Sequence, residues 1–255
     1  MRVTFLGSGT SQGVPVIGCT CEVCRSKDAR DQRLRVSVHI AYEGLSMVID
    51  AGPDFRAQLL RAGITDVDAI LLTHEHNDHV IGLDDVRPLM FRMERPMPLY
   101  ATPKVLREIE TRFSYAFVAE PYPGAPQFAT HAIEQDTPFE VGGITVVPVS
   151  YWHGLLPVTG FRIRDFAYLT DIKTIDPVQI DKLQGLQTLV ISALQKGPHH
   201  SHANLAEALD LIKHIQPAQA WLTHISHRMG LHDDVEKELP PGVGLAYDGL
   251  ILEIG

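Results

Sequence analysis

The sequence is short of cysteine, of basic charge and of long apolar runs. Only three cysteines occur in 255 residues, and all fall between positions 19 and 24. An odd, tightly clustered set makes a poor disulfide framework and a better metal site. Lysine plus arginine number 22 against 31 aspartate plus glutamate, a net charge of −9. That balance argues against a general nucleic-acid binder. No apolar run approaches the roughly 18 residues of a membrane span, so no membrane attachment is expected. Met1–Leu6 gives way to Gly7 and Ser8 too soon for the apolar core of a secretory signal, and a cytoplasmic location is expected.

What is present is ordinary globular material, 45% hydrophobic and 21% charged. No repeat, low-complexity segment or long linker interrupts it, so one domain spanning residues 1–255 is expected. Arg2–Leu6 reads as a first strand. Val36–Tyr42 and Ser46–Ile49 read as a strand pair turned by Glu43-Gly44. Phe55–Ala62 is a helix closed by Gly63, and Val105–Phe113 is another. Ala69–Thr73 is a short buried strand that runs into a histidine-rich loop. Phe139–Val149 and Gly160–Thr170 contain strands, and Leu189–Ala193, Ala220–Thr223 and Leu250–Ile254 are further short ones. Leu205–Ile215 has its apolar residues on one helical face and ends before Pro217. This mixture predicts a layered domain of strands and helices.

The chemistry is concentrated in His74-Glu75-His76-Asn77-Asp78-His79. Three histidines and an aspartate within six residues can supply nitrogen and oxygen ligands to two adjacent divalent metals. His74 and His76 point the same way in an extended segment.

This His-x-His-x-Asp-His pattern resembles the metallo-β-lactamase superfamily of metal-dependent hydrolases. Tyr151-Trp152-His153-Gly154, Tyr168-Leu169-Thr170-Asp171 and Leu222-Thr223-His224 extend the resemblance, each just beyond an apolar strand. Taken singly, His153 reads equally well as a core histidine, and Asp171 as a helix N-cap before Ile172. The resemblance implies an α+β fold, a four-layer αβ/βα sandwich. It implies two divalent metals, drawn from zinc, manganese, iron or nickel. His74, His76 and His153 would hold the first, and Asp78, His79 and His224 the second. Asp171 and a hydroxide would bridge them, and the net positive centre would attract an anionic diester. Asp50 matches a position that accepts a hydrogen bond from a ligand histidine and fixes its ring.

The cysteines form Cys19-Thr20-Cys21-Glu22-Val23-Cys24, and three thiolates need a fourth ligand to close a tetrahedral zinc site. With His224 assigned to the metal pair, His227 of Thr223-His224-Ile225-Ser226-His227 is free to complete one structural zinc. The combination resembles the PhnP family, cyclic-phosphate phosphodiesterases of the carbon–phosphorus lyase pathway, over nearly the whole chain. That likeness implies a catalytic histidine in Pro198-His199-His200-Ser201-His202-Ala203-Asn204. His202 aligns best, as a protonated imidazole acting on the leaving group, with His200 as the alternative. Ile191-Ser192-Ala193-Leu194 departs from the family by lacking its Asp-Cys-Ser run, which bears on the substrate pocket.

Gly7–Gly13 reads as a tight loop near the site floor, since its last glycine is one residue late for a dinucleotide fingerprint. Asp248 reads either as a second ring-fixing carboxylate or as a turn residue before Gly249. The aromatic and proline-rich stretch Met90–Thr130 stands open between a lid, a dimer surface and ordinary packing. His39, His131, His199, His214 and His232 receive no role. The function expected is hydrolysis of a small phosphodiester, cyclic ones included, with His202 and Asp171 catalytic. A homodimer is one expectation, and nucleic acid beyond small nucleotides is not. The alternatives are a ribonuclease Z-like nuclease, a thioester or lactone hydrolase, and a non-catalytic PqqB-like carrier.

Overall fold

The computed structural model describes residues 1–255. In chain order the elements are β1 Arg2–Gly7, α1 Glu22–Arg25, β2 Ser37–Tyr42, β3 Leu45–Ile49, α2 Phe55–Ala62, β4 Ala69–Leu71, α3 Asn77–Val80, α4 Arg87–Met93, β5 Met97–Ala101, α5 Pro103–Arg112 and β6 Phe128–Ala132. They continue with β7 Phe139–Val141, β8 Ile144–His153, β9 Leu156–Ile163, β10 Phe166–Leu169, α6 Pro177–Asp181, β11 Thr188–Ser192, α7 Leu205–Ile215, β12 Gln219–Thr223, α8 His232–Glu238, β13 Val243–Leu245 and β14 Ile251–Glu253.

The strands form two seven-stranded sheets, β14-β1-β2-β3-β4-β5-β6 and β13-β12-β11-β10-β9-β8-β7. Alternation along each strand splits its side chains between two faces. Met47 and Ile49 join Phe161, Phe166 and Tyr168 in a cluster between the sheets. Val48 instead joins Phe55, Leu59, Val105 and Ile109 under the helices of the first sheet. Leu189, Ile191 and Leu222 meet Ala208, Ile212, Ile215 and Val235 of α7 and α8 outside the second. Three apolar interfaces therefore separate four layers, helices outside and sheets inside. Each fully buried large side chain, such as Phe161, contributes roughly 1.5–3 kcal/mol.

Local chemistry sets the helix ends. Gly63 closes α2 in the left-handed region at φ 66°, its N–H reaching Leu59 O and Leu60 O. Asn204 and Glu207 form a reciprocal capping box at the start of α7. The helix read as Val105–Phe113 starts two residues earlier, at Pro103, and ends at Arg112. Thr102 caps it, and proline is favoured in the first turn.

Met90–Thr130 is largely ordinary packing. It holds β5, α5 and most of β6, with Met97, Leu99, Ile109 and Phe113 buried. Only Phe91, Val118 and Tyr122 among its large apolar residues are exposed. Two of its strands went unread because Met97–Ala101 and Phe128–Ala132 are short and interrupted by Pro98 and His131. No helix is long and apolar enough to cross a membrane.

Candidate metal centre

β3, β4, β8, β10 and β12 all end at one edge of the sandwich, and the polar residues that follow them converge there. His74 and His76 leave the end of β4, and Asp78 and His79 lie in α3. The rings of His74, His76 and His153 surround one point, with centroid separations of 4.6, 5.2 and 6.0 Å. Asp171 lies between His79 and His224, its Oδ2 3.2 Å from His79 Nε2 and its Oδ1 3.2 Å from His224 Nε2. Asp78 Oδ2 is 3.2 Å from the same His79 nitrogen and 3.6 Å from His224 Nε2. The N-cap alternative for Asp171 does not hold, because no helix begins at Ile172.

The backbone is strained to reach this arrangement. Seven non-glycine residues have positive φ. Glu43 and Arg164 sit in hairpin turns, and Glu94 and Gln216 end helices. The remaining three are Asp50 (65°), Asp171 (59°) and His224 (55°), all at the centre. Such residues cost of order 1–3 kcal/mol each and persist only where their surroundings over-determine them. Here the neighbours are pinned: Ser37 Oγ donates to Asp50 O, Tyr151 OH to Thr170 O, and Ile172 N to Ser192 Oγ.

Gly52 serves the same end. Its backbone passes so close to the Asp78 carbonyl that any Cβ would collide with it. Gly52→Ala is expected to displace the α3 loop, lower stability by about 1–3 kcal/mol and reduce metal uptake. Thermal unfolding and metal content check this, and an unchanged pair of values contradicts it.

The electrostatics describe a hole for positive charge. Asp50, Asp78 and Asp171 are buried or nearly so, and no lysine or arginine pairs with them. Burial alone would raise Asp78, but His79 and His224 hold it well below the usual carboxylate range. Asp171 behaves likewise, with His224 and His79 outweighing burial. Burial keeps Asp50 raised despite its bond to His79. His79 is held well above its ordinary value by Asp78, Asp171 and Asp50, against the pull of burial. Burial, then His79, keep His74 low.

Eleven buried side-chain atoms lack a hydrogen bond, and five are imidazole nitrogens here: His74 Nε2, His79 Nε2, His202 Nδ1 and both nitrogens of His224. Each such atom costs about 1–3 kcal/mol unless something binds it. Orphaned nitrogens facing carboxylates that no lysine or arginine neutralises are the donor set of divalent metals, so the residues fit such ions. The opposite ring nitrogens are anchored as ligand histidines require. His79 Nδ1 lies 2.7 Å from Asp50 Oδ2, His153 Nδ1 2.7 Å from Ser201 O, and His74 Nδ1 2.9 Å from Thr73 Oγ1. Three groups here have ligand atoms within 4.8 Å of one another: His74-His79-Asp171, Asp78-His79-His224 and His153-Asp171-His202. His76 falls outside them, and His202 enters one.

A second cluster lies nearby. Cys19, Cys21 and Cys24 place their sulfurs 3.2, 3.5 and 3.5 Å from His227 Nδ1. Val16 N–H donates to Cys24 Sγ, and Cys24 N–H to Cys21 Sγ. Hydrogen bonding, first from the Cys21 backbone, lowers the Cys19 thiol, whereas burial pushes Cys24 up to about 11. Four ligand atoms within 4.8 Å of one another suit a closed tetrahedral zinc site.

The family model for the beta-lactamase superfamily domain matches residues 46–225. The chain belongs to the metallo-β-lactamase superfamily. A diphosphatase from the PhnP family has a solved structure that is 40% identical and superposes with a TM-score of 0.93, covering 100% of this chain and 98% of that one. Zn(2+)-bound PqqB from Methylobacterium extorquens covers both chains fully at a TM-score of 0.81 and 20% identity, a likeness of fold. A protein of Porphyromonas gingivalis named octanoyltransferase is 44% identical over 252 residues. The match takes in 98% of this chain, which spans only 51% of that relative's length.

On this superfamily fold, the loop before α7 brings His202 rather than His200 to the centre. His202 Nδ1 is 3.6 Å from Asp171 Oδ1, and its ring packs against His153 and His224 at 4.2 and 5.0 Å. His200 is exposed and stacks only on His199. Burial, then His224 and other rings, push His202 down to about 2.

Asp248 neither fixes a histidine ring nor simply makes a turn. It is buried and accepts hydrogen bonds from Ser8 N, Ser8 Oγ and Leu34 N. Sequence reasoning also missed Arg112, which donates to the Glu75 carbonyl and, at 2.8 Å, to Asn77 Oδ1. Lys104 holds the Glu75 carboxylate at 2.6 Å, so α5 clamps the ligand loop from outside. His199, given no role, lines a cleft of about 290 Å³ with His202, Thr10, Ser11, Gln12 and Arg228. Nothing in a single sequence marks such partners, because each meets its target through the fold.

Proposed function

We propose that the protein is a metal-dependent phosphodiesterase acting on a small phosphodiester. The observation that carries this reading is the set of orphaned imidazole nitrogens around Asp171, opening beside a polar cleft. None of the ten residues lining that cleft is acidic, and only Leu194 is apolar. In a chain of net charge −9, a cleft without carboxylates next to a cation site suits an anionic substrate. It does not suit an octanoyl chain, whose binding needs apolar walls. The likeness to a PhnP-family diphosphatase points the same way.

His74, His76, His153, Asp78, His79 and His224 would hold two divalent cations, with Asp171 shared between them. When bound, such ions lower the pKa of a water and neutralise phosphoryl oxygens. In the hydrolysis, water oxygen bonds to phosphorus, the bond from phosphorus to the leaving oxygen breaks, and a proton ends on the released alkoxide. Thr170 Oγ1 donates to Asp171 Oδ2 at 2.6 Å and fixes the carboxylate plane. Asp50 orients His79, and the Ser201 carbonyl orients His153. An anionic phosphodiester beside His202 favours the imidazolium, which gives its proton to the leaving oxygen and returns to the neutral ring.

His202→Ala is expected to lower kcat by about 10²–10⁴-fold with bound metal unchanged. The defect should shrink for p-nitrophenyl diesters, whose leaving group needs no proton. Parallel loss of metal would make His202 a ligand instead. A hydrolysis screen of diesters, monoesters, cyclic nucleotides, thioesters and lactones tests the function itself. Preference for a thioester or lactone would overturn it, as would steeply salt-dependent RNA cleavage, the mark of a ribonuclease Z-like nuclease. No turnover at all with metal loaded would support a PqqB-like carrier.

A further inference from the structure

Three of the four buried ligand histidines have the ring nitrogen opposite the metal side fixed by an acceptor. Thr73 Oγ1 serves His74, Asp50 serves His79, and the Ser201 carbonyl serves His153. His224 has none, since neither of its nitrogens makes a hydrogen bond. Its ring must therefore be aimed by its backbone, which sits in the left-handed region at φ 55°.

That backbone is held from both sides. The Thr223 carbonyl accepts from Ala193 N–H at 3.0 Å, which ties the end of β12 to the second sheet. On the other side, Ile225 N–H donates to Ser8 O at 2.9 Å, and Ile225 O accepts from Thr10 N–H at 3.1 Å. Ser8 belongs to the loop after β1 in the first sheet, so its position decides where Ile225 lies. Ser8 is fully buried, and its N–H and Oγ both donate to Asp248 Oδ1 at 2.8 Å. Arg33 Nη1 donates to the same hydroxyl at 2.9 Å. The other Asp248 oxygen accepts from Leu34 N–H at 2.8 Å and from Arg61 at 3.2 Å. One buried carboxylate thus gathers the two loops that fix Ser8.

We infer that Asp248 and Ser8 are positioning residues for His224, a backbone latch standing in for the ring-fixing hydrogen bond that the other ligands have. This rests on the reading of the centre as a dinuclear metal site. A carboxylate is needed because every group facing Asp248 is a donor, so an amide would turn its own N–H₂ against one of them. The latch acts on the Asp78-His79-His224 side alone, since the His74 and His153 anchors do not pass through it.

Cobalt(II) titration of Asp248→Ala, Ser8→Ala and His224→Ala, with the cysteine cluster kept in zinc, tests the latch. Asp248→Ala is expected to weaken the second cobalt by about 10–100-fold, the size found when a partner of a ligand histidine is lost, and to leave the first cobalt and the zinc in place. Ser8→Ala should lose less, because the Ser8 N–H bond to Asp248 survives. In a His224→Ala background, adding Asp248→Ala should change cobalt binding no further. Unchanged second-site affinity in Asp248→Ala, or losses that add in the double variant, would overturn the latch and leave Asp248 as scaffold. If Asp248→Ala fails to fold, the Ser8→Ala and His224→Ala cycle reads the same coupling, and additivity there overturns it too. A wild-type protein that binds no cobalt beyond the cysteine site defeats the dinuclear reading before any variant is made, so the two failures are told apart.

Discussion

Asp171→Ala is expected to reduce phosphodiester turnover by at least about 10³-fold, the upper range for losing one preorganised charge-stabilising group. The reason is geometric. One carboxylate oxygen faces His79 and the other faces His224 and His202, at 3.2, 3.2 and 3.6 Å. On the proposed dinuclear reading, removing it would take a shared ligand from both cations, and it leaves the His79, His202 and His224 nitrogens with less opposing charge. Metal content should fall together with rate. Asp171→Asn separates the two effects, since it keeps the shape and the strained φ that asparagine tolerates but removes the charge. It should retain fold and lose metal. Full metal content and wild-type turnover in Asp171→Ala would show that the centre lies elsewhere.

The second large effect concerns the cysteine cluster. Cys21→Ser is expected to remove about one equivalent of zinc and to lower stability. Structural zinc contributes about 10–16 kcal/mol in peptides that fold only with metal. This chain has its own apolar core, so about 3 kcal/mol is the expected floor, or roughly 6–12 °C in Tm at this size. His227→Ala should resemble Cys21→Ser and not His224→Ala, because its ring faces three sulfurs and no carboxylate. Activity should fall indirectly, through the three-residue link from His227 to His224. Native thiol titration is the check: three freely reactive thiols in a zinc-free protein would remove the claim.

Much of this was legible along the chain. Leu205–Ile215 and Phe55–Ala62 end where their caps and Gly63 end them, because helix termini are local chemistry. His74 through His79 marked a candidate metal site because its potential ligands are contiguous. His153, Asp171 and His224 were legible only as a set in order, since each alone has a commonplace reading. The supports were not legible. Ser8 meets Asp248 across 240 residues of chain, and Arg112 meets Asn77 from a helix 35 residues further on. His202 was placed near the centre by its offset from the α7 cap, but the burial that lowers its pKa was not legible. The charge on an imidazole is set by how deeply the fold buries it and by its neighbours, and neither is written in spacing.

The division of the chain between the sheets has a mechanical consequence. Residues 1–132 build one sheet and residues 139–245 the other, with only β14 returning to the first. His74, His76, Asp78 and His79 come from the first half, and His153, Asp171 and His224 from the second. The cysteines and His227 divide the same way. Both candidate metal sites are therefore rivets across a single seam, driven through one rim while the apolar filling between the sheets glues the rest. Stripping the ions should let that rim gape before either half melts, and two fragments cut between β6 and β7 should find each other more tightly with metal than without it.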